Sequence, residues 1–127
     1  MNRESLHKSW GRVFLGAFAL IRNPETWTQG KNARTSNGQE TDPRLKYACS
    51  YCSLGAILKY HVGNTHDAAF SLISHFTSWC RDTYGVQLYR LNDESSHDEI
   101  VQVWINYGKH MKYLPETFTV NDPTPEV

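Results

Sequence analysis

The sequence predicts a mainly α protein: one compact domain of four helices, with a long irregular loop and room for a short strand pair. Apolar residues recur every three or four positions in several stretches, and proline or glycine separates these stretches. The 127 residues are enough for a single hydrophobic core without a disulfide or a metal. We expect residues 1–114 to form the domain and residues 115–127, which are rich in proline, to form an extended C-terminal tail that packs little.

Apolar spacing predicts the first two helices. The first has one apolar face from residue 6 to residue 21 and must end near Pro24, because the residue before a proline avoids the helical conformation. The second is expected to start with Pro43 in its first turn and to run through the apolar residues 45–58. This second helix is predicted to be the central one.

Capping residues predict the last two helices. Thr65 can cap a third helix that ends at Gly85, a residue type that often terminates helices. Ser96 and Glu99 have the spacing of a capping box, in which each side chain accepts a hydrogen bond from the other residue's backbone N–H. A fourth helix is therefore expected to begin at Ser96.

Two stretches lack helical spacing. Residues 27–41 are polar and contain Asn37-Gly38, a pair typical of tight turns, so they predict a loop or a short ribbon. Residues 85–93 alternate between apolar and polar side chains, as a strand does, and a strand pair that includes residues 88–91 is left open.

Charge and hydropathy narrow the classes of function. The formal net charge is zero, which argues against a protein built to neutralise phosphates, and acids offset the local basic residues Lys31, Arg34, Arg44 and Lys46. We therefore do not expect nucleic acid as the partner. The apolar window 13–21 is about half of the ~20 residues that span a bilayer, so no membrane association is expected. Three cysteines, an odd number, favour reduced thiols in a cytoplasmic protein.

Three short motifs occur in order along the chain: Trp27-Thr28-Gln29, Cys52-Ser53-Leu54-Gly55-Ala56, and Asn92-Asp93 before a last helix. Together they resemble DUF6197, a family of small phage and bacterial proteins with no established activity. The resemblance spans roughly residues 6–111, and the additional Cys49 departs from it. It implies that the residues to watch are Trp27, Gln29, Cys52, Gly55, Asn92 and Asp93.

A metal site would need further ligands for Cys49 and Cys52. His61, His66, His75 and Cys80 are available, but none of them forms a second pair at a matching spacing. Both cysteines also fall within a predicted helix rather than on a turn. We expect no metal and no cofactor.

Cys52 has two alternative interpretations. If the helix began at Ser50, the thiol would lie near the positive end of the helix dipole, which favours a reactive thiolate. Gln29 could then donate to an oxyanion, Asp93 or Asn92 could orient a base, and His61 or His97 could be that base. The alternative, which we favour, is that Cys52 and Gly55 are small residues that let another segment pack closely.

The loop and the Asn92-Asp93 turn are predicted to form a recognition face. Trp27 is expected to pack near Gly55 and anchor the loop, leaving residues 31–38 exposed and mobile. Alanine at Lys31 and Arg34 should then leave the melting temperature almost unchanged. The predicted binding residues are Trp27, Gln29, Lys31, Arg34, Asn92 and Asp93.

The sequence thus favours a non-enzymatic binding protein, an accessory factor of a phage or bacterium that blocks a host protein or sequesters a small molecule. The alternative is a cysteine-dependent hydrolase or transferase centred on Cys52. Assembly into a homo-oligomer is left open.

Overall fold

The structure is a computed structural model that describes residues 3–61 and 67–126. These residues form five α-helices and a small antiparallel sheet, which confirms the mainly α class, with one helix more than the four that the sequence predicted. The elements in chain order are α1 (Arg3–Ile21), β1 (Ala33–Arg34), β2 (Ser50–Tyr51), α2 (Ser53–Leu58), α3 (Ala68–Tyr84), α4 (Leu88–Glu94) and α5 (His97–His110), with a short 3₁₀ turn at Pro24–Thr26. None of the described helices is both long and apolar enough to cross a membrane.

A cluster of aromatic side chains lies in the core between α1, α3 and α5. Phe14 and Phe18 of α1 are fully buried, and both rings lie against Trp104 of α5. Phe76 of α3 stacks on Tyr107 with ring centroids 3.9 Å apart. These contacts come from the apolar faces that the three- and four-residue spacing predicted.

The helix ends follow the local sequence. α1 ends before Pro24, as predicted. Gly85 ends α3 in the left-handed conformation, with φ of 80°, which a residue without Cβ adopts without strain. The capping box of Ser96 and Glu99 is confirmed at the start of α5. The predicted cap of α3 is wrong: Asp67 caps this helix through its carboxylate, two residues after Thr65, which itself lies outside the described residues.

The prediction of a long central helix is wrong at its N-terminal end. α2 begins only at Ser53, because the backbone N–H groups of Cys49 and Cys52 donate to the carbonyls of Arg34 and Asn32. These bonds, 2.8 and 3.1 Å long, hold residues 49–52 beside β1 in an extended conformation. A partner far away in the sequence therefore replaced the local helical bonds.

The strand that the alternation of residues 85–93 suggested is not formed, so this prediction is also wrong. These residues contain α4, whose buried residues Leu88 and Asn92 are four positions apart and lie on one face. Over so few residues, alternation and helical spacing cannot be told apart. The strand pair that forms instead joins Ala33–Arg34 to Ser50–Tyr51.

The polar segment 27–41 is more ordered than its composition suggests. The predicted turn at Asn37-Gly38 is present, with Gly38 at φ of 83° and the Thr35 N–H donating to the Gln39 carbonyl over 2.8 Å. Ala33 is fully buried, whereas Asn32 and residues 36–38 are exposed. Residues 29–32 and 36–40 are thus exposed on either side of Ala33, and the expectation that all of 31–38 is exposed is wrong at Ala33.

Part of the C-terminal tail packs on the domain. Phe118 is only 4% exposed, and the Arg22 guanidinium lies between the rings of Phe18 and Phe118, 5.1 and 5.4 Å from their centroids. Arg22 also donates to the Val120 carbonyl and the Thr124 hydroxyl over 2.8 Å. The expectation that this segment packs little is wrong for these residues, while the domain boundary at residue 114 stays a prediction.

Candidate functional site

The three sequence motifs converge on one buried side chain, the amide of Asn92. Its Oδ1 accepts hydrogen bonds from Trp27 Nε1 (2.9 Å), from the Ser53 backbone N–H (2.9 Å) and from the Ser53 hydroxyl (2.8 Å). The Ser53 oxygen accepts in turn from Trp104 Nε1 at 2.9 Å. We call these four residues, Trp27, Ser53, Asn92 and Trp104, the Asn92 network.

The other end of the same amide is also engaged. Asn92 Nδ2 donates to the Thr28 carbonyl at 3.0 Å and to Asp93 Oδ1 at 3.2 Å. An amide is required here because one end must accept and the other must donate. A carboxylate at position 92 would place a second acceptor against the Thr28 carbonyl.

Gln29 satisfies the C-terminal end of α4. Its Nε2 donates to the carbonyls of Asn92 (3.0 Å), Asp93 (3.2 Å) and Ser95 (2.9 Å). Carbonyls in the last turn of a helix have no partner within the helix, so this side chain acts as a cap. The donor that we considered for an oxyanion is thus already used inside the protein.

Gly55 accommodates a backbone carbonyl rather than the Trp27 ring. A Cβ at Gly55 would lie 1.7 Å from the Asn32 carbonyl oxygen, so no other residue fits without movement. Trp27 instead lies beside His97, with ring centroids 5.1 Å apart. The predicted packing of Trp27 near Gly55 is therefore wrong, because the indole N–H bonds to Asn92 and the β1 segment fills the space at Gly55.

Cys52 is the N-cap of α2. Its sulfur accepts from the Gly55 N–H at 3.4 Å and lies 3.7 Å from Asn32 Oδ1, and the residue is 6% exposed. Burial raises the pKa of the Cys52 thiol, the Gly55 N–H opposes part of this rise, and the nearby Asp93 charge adds to it. The helix start needed for a reactive thiol is present, but the environment favours the neutral form.

A groove of about 340 Å³ opens beside Cys52. Asp93 lies at one side of it, exposed to solvent, and its Oδ1 accepts from the Gly30 N–H at 2.9 Å. Lys31 also lines the groove, with its Nζ 3.7 Å from Glu40 Oε1. We call this the Asp93 groove, and its other walls include Asn32, Leu54 and Tyr89.

A second groove, of about 580 Å³, lies next to the first and shares Asn32 and Glu40 with it. We call it the His61 groove. His61 Nδ1 lies 3.1 Å from Asp67 Oδ2, and the His61 ring meets the edge of Phe70. Leu58 and Pro43 give this groove an apolar side.

The predicted basic residues are mostly engaged within the protein. Arg34 donates to the Thr28 hydroxyl, the Gln29 carbonyl and the Gly38 carbonyl, each at 3.0 Å. Arg44 pairs with Asp42 at 3.1 Å, and Lys46 lies over the ring of Tyr47. Arg34 and Arg44 thus already have hydrogen-bonding partners within the protein.

Neither histidine considered as a base lies in the Asp93 groove. His97 Nε2 is 2.8 Å from the Ile21 carbonyl, and His61 lines the neighbouring groove. His75 bonds to the Tyr107 hydroxyl at 2.8 Å. Within residues 3–61 and 67–126, no three His, Cys, Asp or Glu side chains are grouped so as to hold a metal ion, and His66 lies outside this part.

The sequence interpretation missed Ser53 and Trp104. Ser53 lies within the second motif but was given no role there, and Trp104 lies on the apolar face of α5, where an ordinary core residue is expected. A serine in the first turn of a helix is one available signal, since its hydroxyl often bonds locally. Here the hydroxyl bonds to Asn92, which is distant in sequence.

Comparison with known proteins gives one match. The model of DUF6197, described as a family of unknown function, matches residues 9–104 and includes all three motifs. No curated protein and no solved structure matches the chain. The match covers most of the sequence, and the chain belongs to the DUF6197 family.

Proposed function

We propose that this is a non-enzymatic binding protein and that the Asp93 groove binds a cationic group of its partner. In this proposal the Asn92 network positions the groove, while Asp93 and Lys31 contact the partner. Trp27, Gln29 and Asn92 then contribute to binding by position, because each makes hydrogen bonds inside the domain.

The observation that carries the proposal is that the Asp93 carboxylate is exposed and held in one orientation by hydrogen bonds. It is exposed, yet Oδ1 is held by the Gly30 N–H and by Asn92 Nδ2. No salt bridge joins it to another described residue. A carboxylate that is already oriented loses less freedom when it binds a cation, so more of the interaction energy remains for affinity.

The other charged residues of the groove also favour a positively charged ligand. Glu40 and Lys31 face one another and offset each other's charge. Asp93 is left as the uncompensated charge, and the exposed Tyr89 ring beside it can interact with a cation through its face.

Nucleophilic catalysis by Cys52 is less well supported than binding. The raised pKa of Cys52 keeps the thiol neutral, and a thiolate is the form that attacks. Among the described lining residues of the Asp93 groove there is no histidine to remove the proton. Lys31 is the cation of the groove, but it is paired with Glu40.

The biological setting is part of this proposal. In this proposal the protein is a cytoplasmic accessory factor of a phage or bacterium. By binding a cationic group it would block a host protein or sequester a small molecule. The likeness of the motifs to small phage and bacterial proteins is what supports this setting.

Agmatine, which carries a guanidinium and an amine, is a suitable probe. We expect it to shift the amide NMR signals of Gly30, Lys31, Asn32 and Asp93 in the ¹⁵N-labelled protein, with millimolar affinity, since exposed ion pairs contribute about 1 kcal/mol or less. Asp93→Asn keeps an acceptor for the Gly30 N–H and removes the charge, so it should weaken agmatine binding by up to about fivefold and reduce the shifts accordingly. The matched control, Asp82→Asn on the exposed side of α3, should leave them unchanged. Equal agmatine shifts in the Asp93→Asn protein would rule the proposal out.

A further inference from the structure

The Asp93 groove and the His61 groove are neighbours with a common wall. Both are lined by Asn32 and Glu40, so they adjoin along this wall. One end has Asp93 and Tyr89, and the other has Leu58 and Phe70. A ligand that occupies both must be elongated.

The shared wall is held in place by the domain. The Asn32 carbonyl accepts from the Cys52 N–H at 3.1 Å and lies directly against Gly55. The next residue, Ala33, is fully buried and pairs with Tyr51 across the sheet. This part of the combined groove is therefore preformed, which lowers the entropy lost on binding.

The two ends differ in chemistry. At the Asp93 end the carboxylate is uncompensated by any described cation. At the other end Arg44 is paired with Asp42, and the Asp67 carboxylate accepts from the Ala69 and Phe70 N–H groups at the start of α3. Leu58 and Pro43 add apolar surface beside them. A cation is favoured at the first end and an apolar side chain at the second.

We propose that the combined groove binds an extended segment of a partner protein that has a basic residue followed, after a short spacer, by an apolar residue. This inference rests on the proposed function and specifies the partner for the same site. A polypeptide is the occupant that these features favour, because an extended chain presents side chains of both kinds at separations of about 3.3 Å per residue.

The test compares short peptides on the whole protein. The probe is acetyl-Arg-Gly-Gly-Leu-amide, and the references are acetyl-Arg-amide and the same peptide with glutamate in place of arginine. Spacers of increasing length are included. We expect the peptide with one of these spacer lengths to bind at least about fivefold more tightly than acetyl-Arg-amide. The glutamate peptide should bind at least about fivefold more weakly than the arginine peptide of the same length.

Two measurements locate the apolar end. Leu58→Ala should remove the gain of the longer peptide while leaving acetyl-Arg-amide binding unchanged. Because Leu58 is half-buried and its loss can disturb α2, the unmodified protein provides a second measurement. There we expect intermolecular NOEs between the leucine methyl groups of the peptide and the Phe70 ring.

The outcomes separate this inference from the proposed function. If acetyl-Arg-amide binds as tightly as every longer peptide and no NOE reaches Phe70, the groove takes a small cation only, and the inference is wrong while the proposed function stands. If neither agmatine nor any arginine peptide shifts the Asp93 groove, both are wrong. If the glutamate peptide binds as well as the arginine peptide, the charge argument fails for both.

Discussion

Asn92 and Asp93 are adjacent in the chain but lie in contrasting surroundings. Asn92 is fully buried, and both ends of its amide are hydrogen-bonded within the domain. Asp93 is exposed at the edge of a groove, and the described residues hold its carboxylate at Oδ1 alone. The helix α4 produces this difference, because successive residues on a helix point in directions about 100° apart.

The contrast teaches that one short motif can have two roles. The buried member joins the segments that contain Trp27 and Ser53, and the exposed member is oriented by the same arrangement. A substitution at Asn92 should therefore act on stability, and one at Asp93 on binding. Three predictions, from the largest expected effect to the smallest, test which residues act on stability.

The largest effect is expected for Asn92→Ala. It removes the acceptor of Trp27 Nε1 and of both Ser53 donors, so we expect the free energy of unfolding to fall by about 3–5 kcal/mol in urea denaturation. Asn106→Ala, at an exposed position of α5, is the matched control and should change it by about 0.5 kcal/mol or less. A loss below about 1 kcal/mol for Asn92→Ala would show that the network contributes little to stability.

An intermediate effect is expected for Arg34→Ala. The sequence suggested that Lys31 and Arg34 could both be removed at little cost, but Arg34 makes three hydrogen bonds within the 27–41 segment. We expect Arg34→Ala to lower the free energy of unfolding by about 1–2 kcal/mol and Lys31→Ala by about 0.5 kcal/mol or less. Arg34→Lys should recover only part of the loss. Equal effects of the two alanine variants would show that the guanidinium does not brace the loop.

The smallest effect on stability is expected at Cys52, which lies between the network and the groove. Cys52→Ala should cost about 1 kcal/mol, as for a small buried side chain. Burial raises the pKa of the Cys52 thiol, so less thiolate is present at a given pH. The rate of Cys52 alkylation should therefore keep rising at pH values above those at which an exposed cysteine has already reached its maximal rate.

Peptide mass spectrometry after brief treatment with iodoacetamide measures the order in which the three cysteines are alkylated. The exposed Cys49 should be modified first, then Cys52, and last the fully buried Cys80, whose pKa burial raises to about 12. Modification of Cys52 ahead of Cys49 at neutral pH would contradict the neutral-thiol assignment and favour the cysteine enzyme.

Local sequence predicted the elements whose causes are local. The apolar spacing of α1, α3 and α5, the glycine after Tyr84 and the capping box at Ser96 all act within a few residues. The prediction of a helix that starts at Pro43 failed for residues 43–52, because the backbone N–H groups of Cys49 and Cys52 donate to carbonyls in another segment. The motif residues were identified in advance, but their partners were not.

The sequence by itself determined the helical class, the end of α1 before Pro24, the end of α3 at Gly85, the start of α5 at Ser96 and the turn at Asn37-Gly38. Only the tertiary structure decided that Gln29 caps α4, that the Asn32 carbonyl lies against Gly55, and that Asn92 is buried while Asp93 is exposed. The physical reason is that a buried polar group must find a partner wherever the fold supplies one. In this protein those partners are distant in the chain, so no local pattern of residues specifies them.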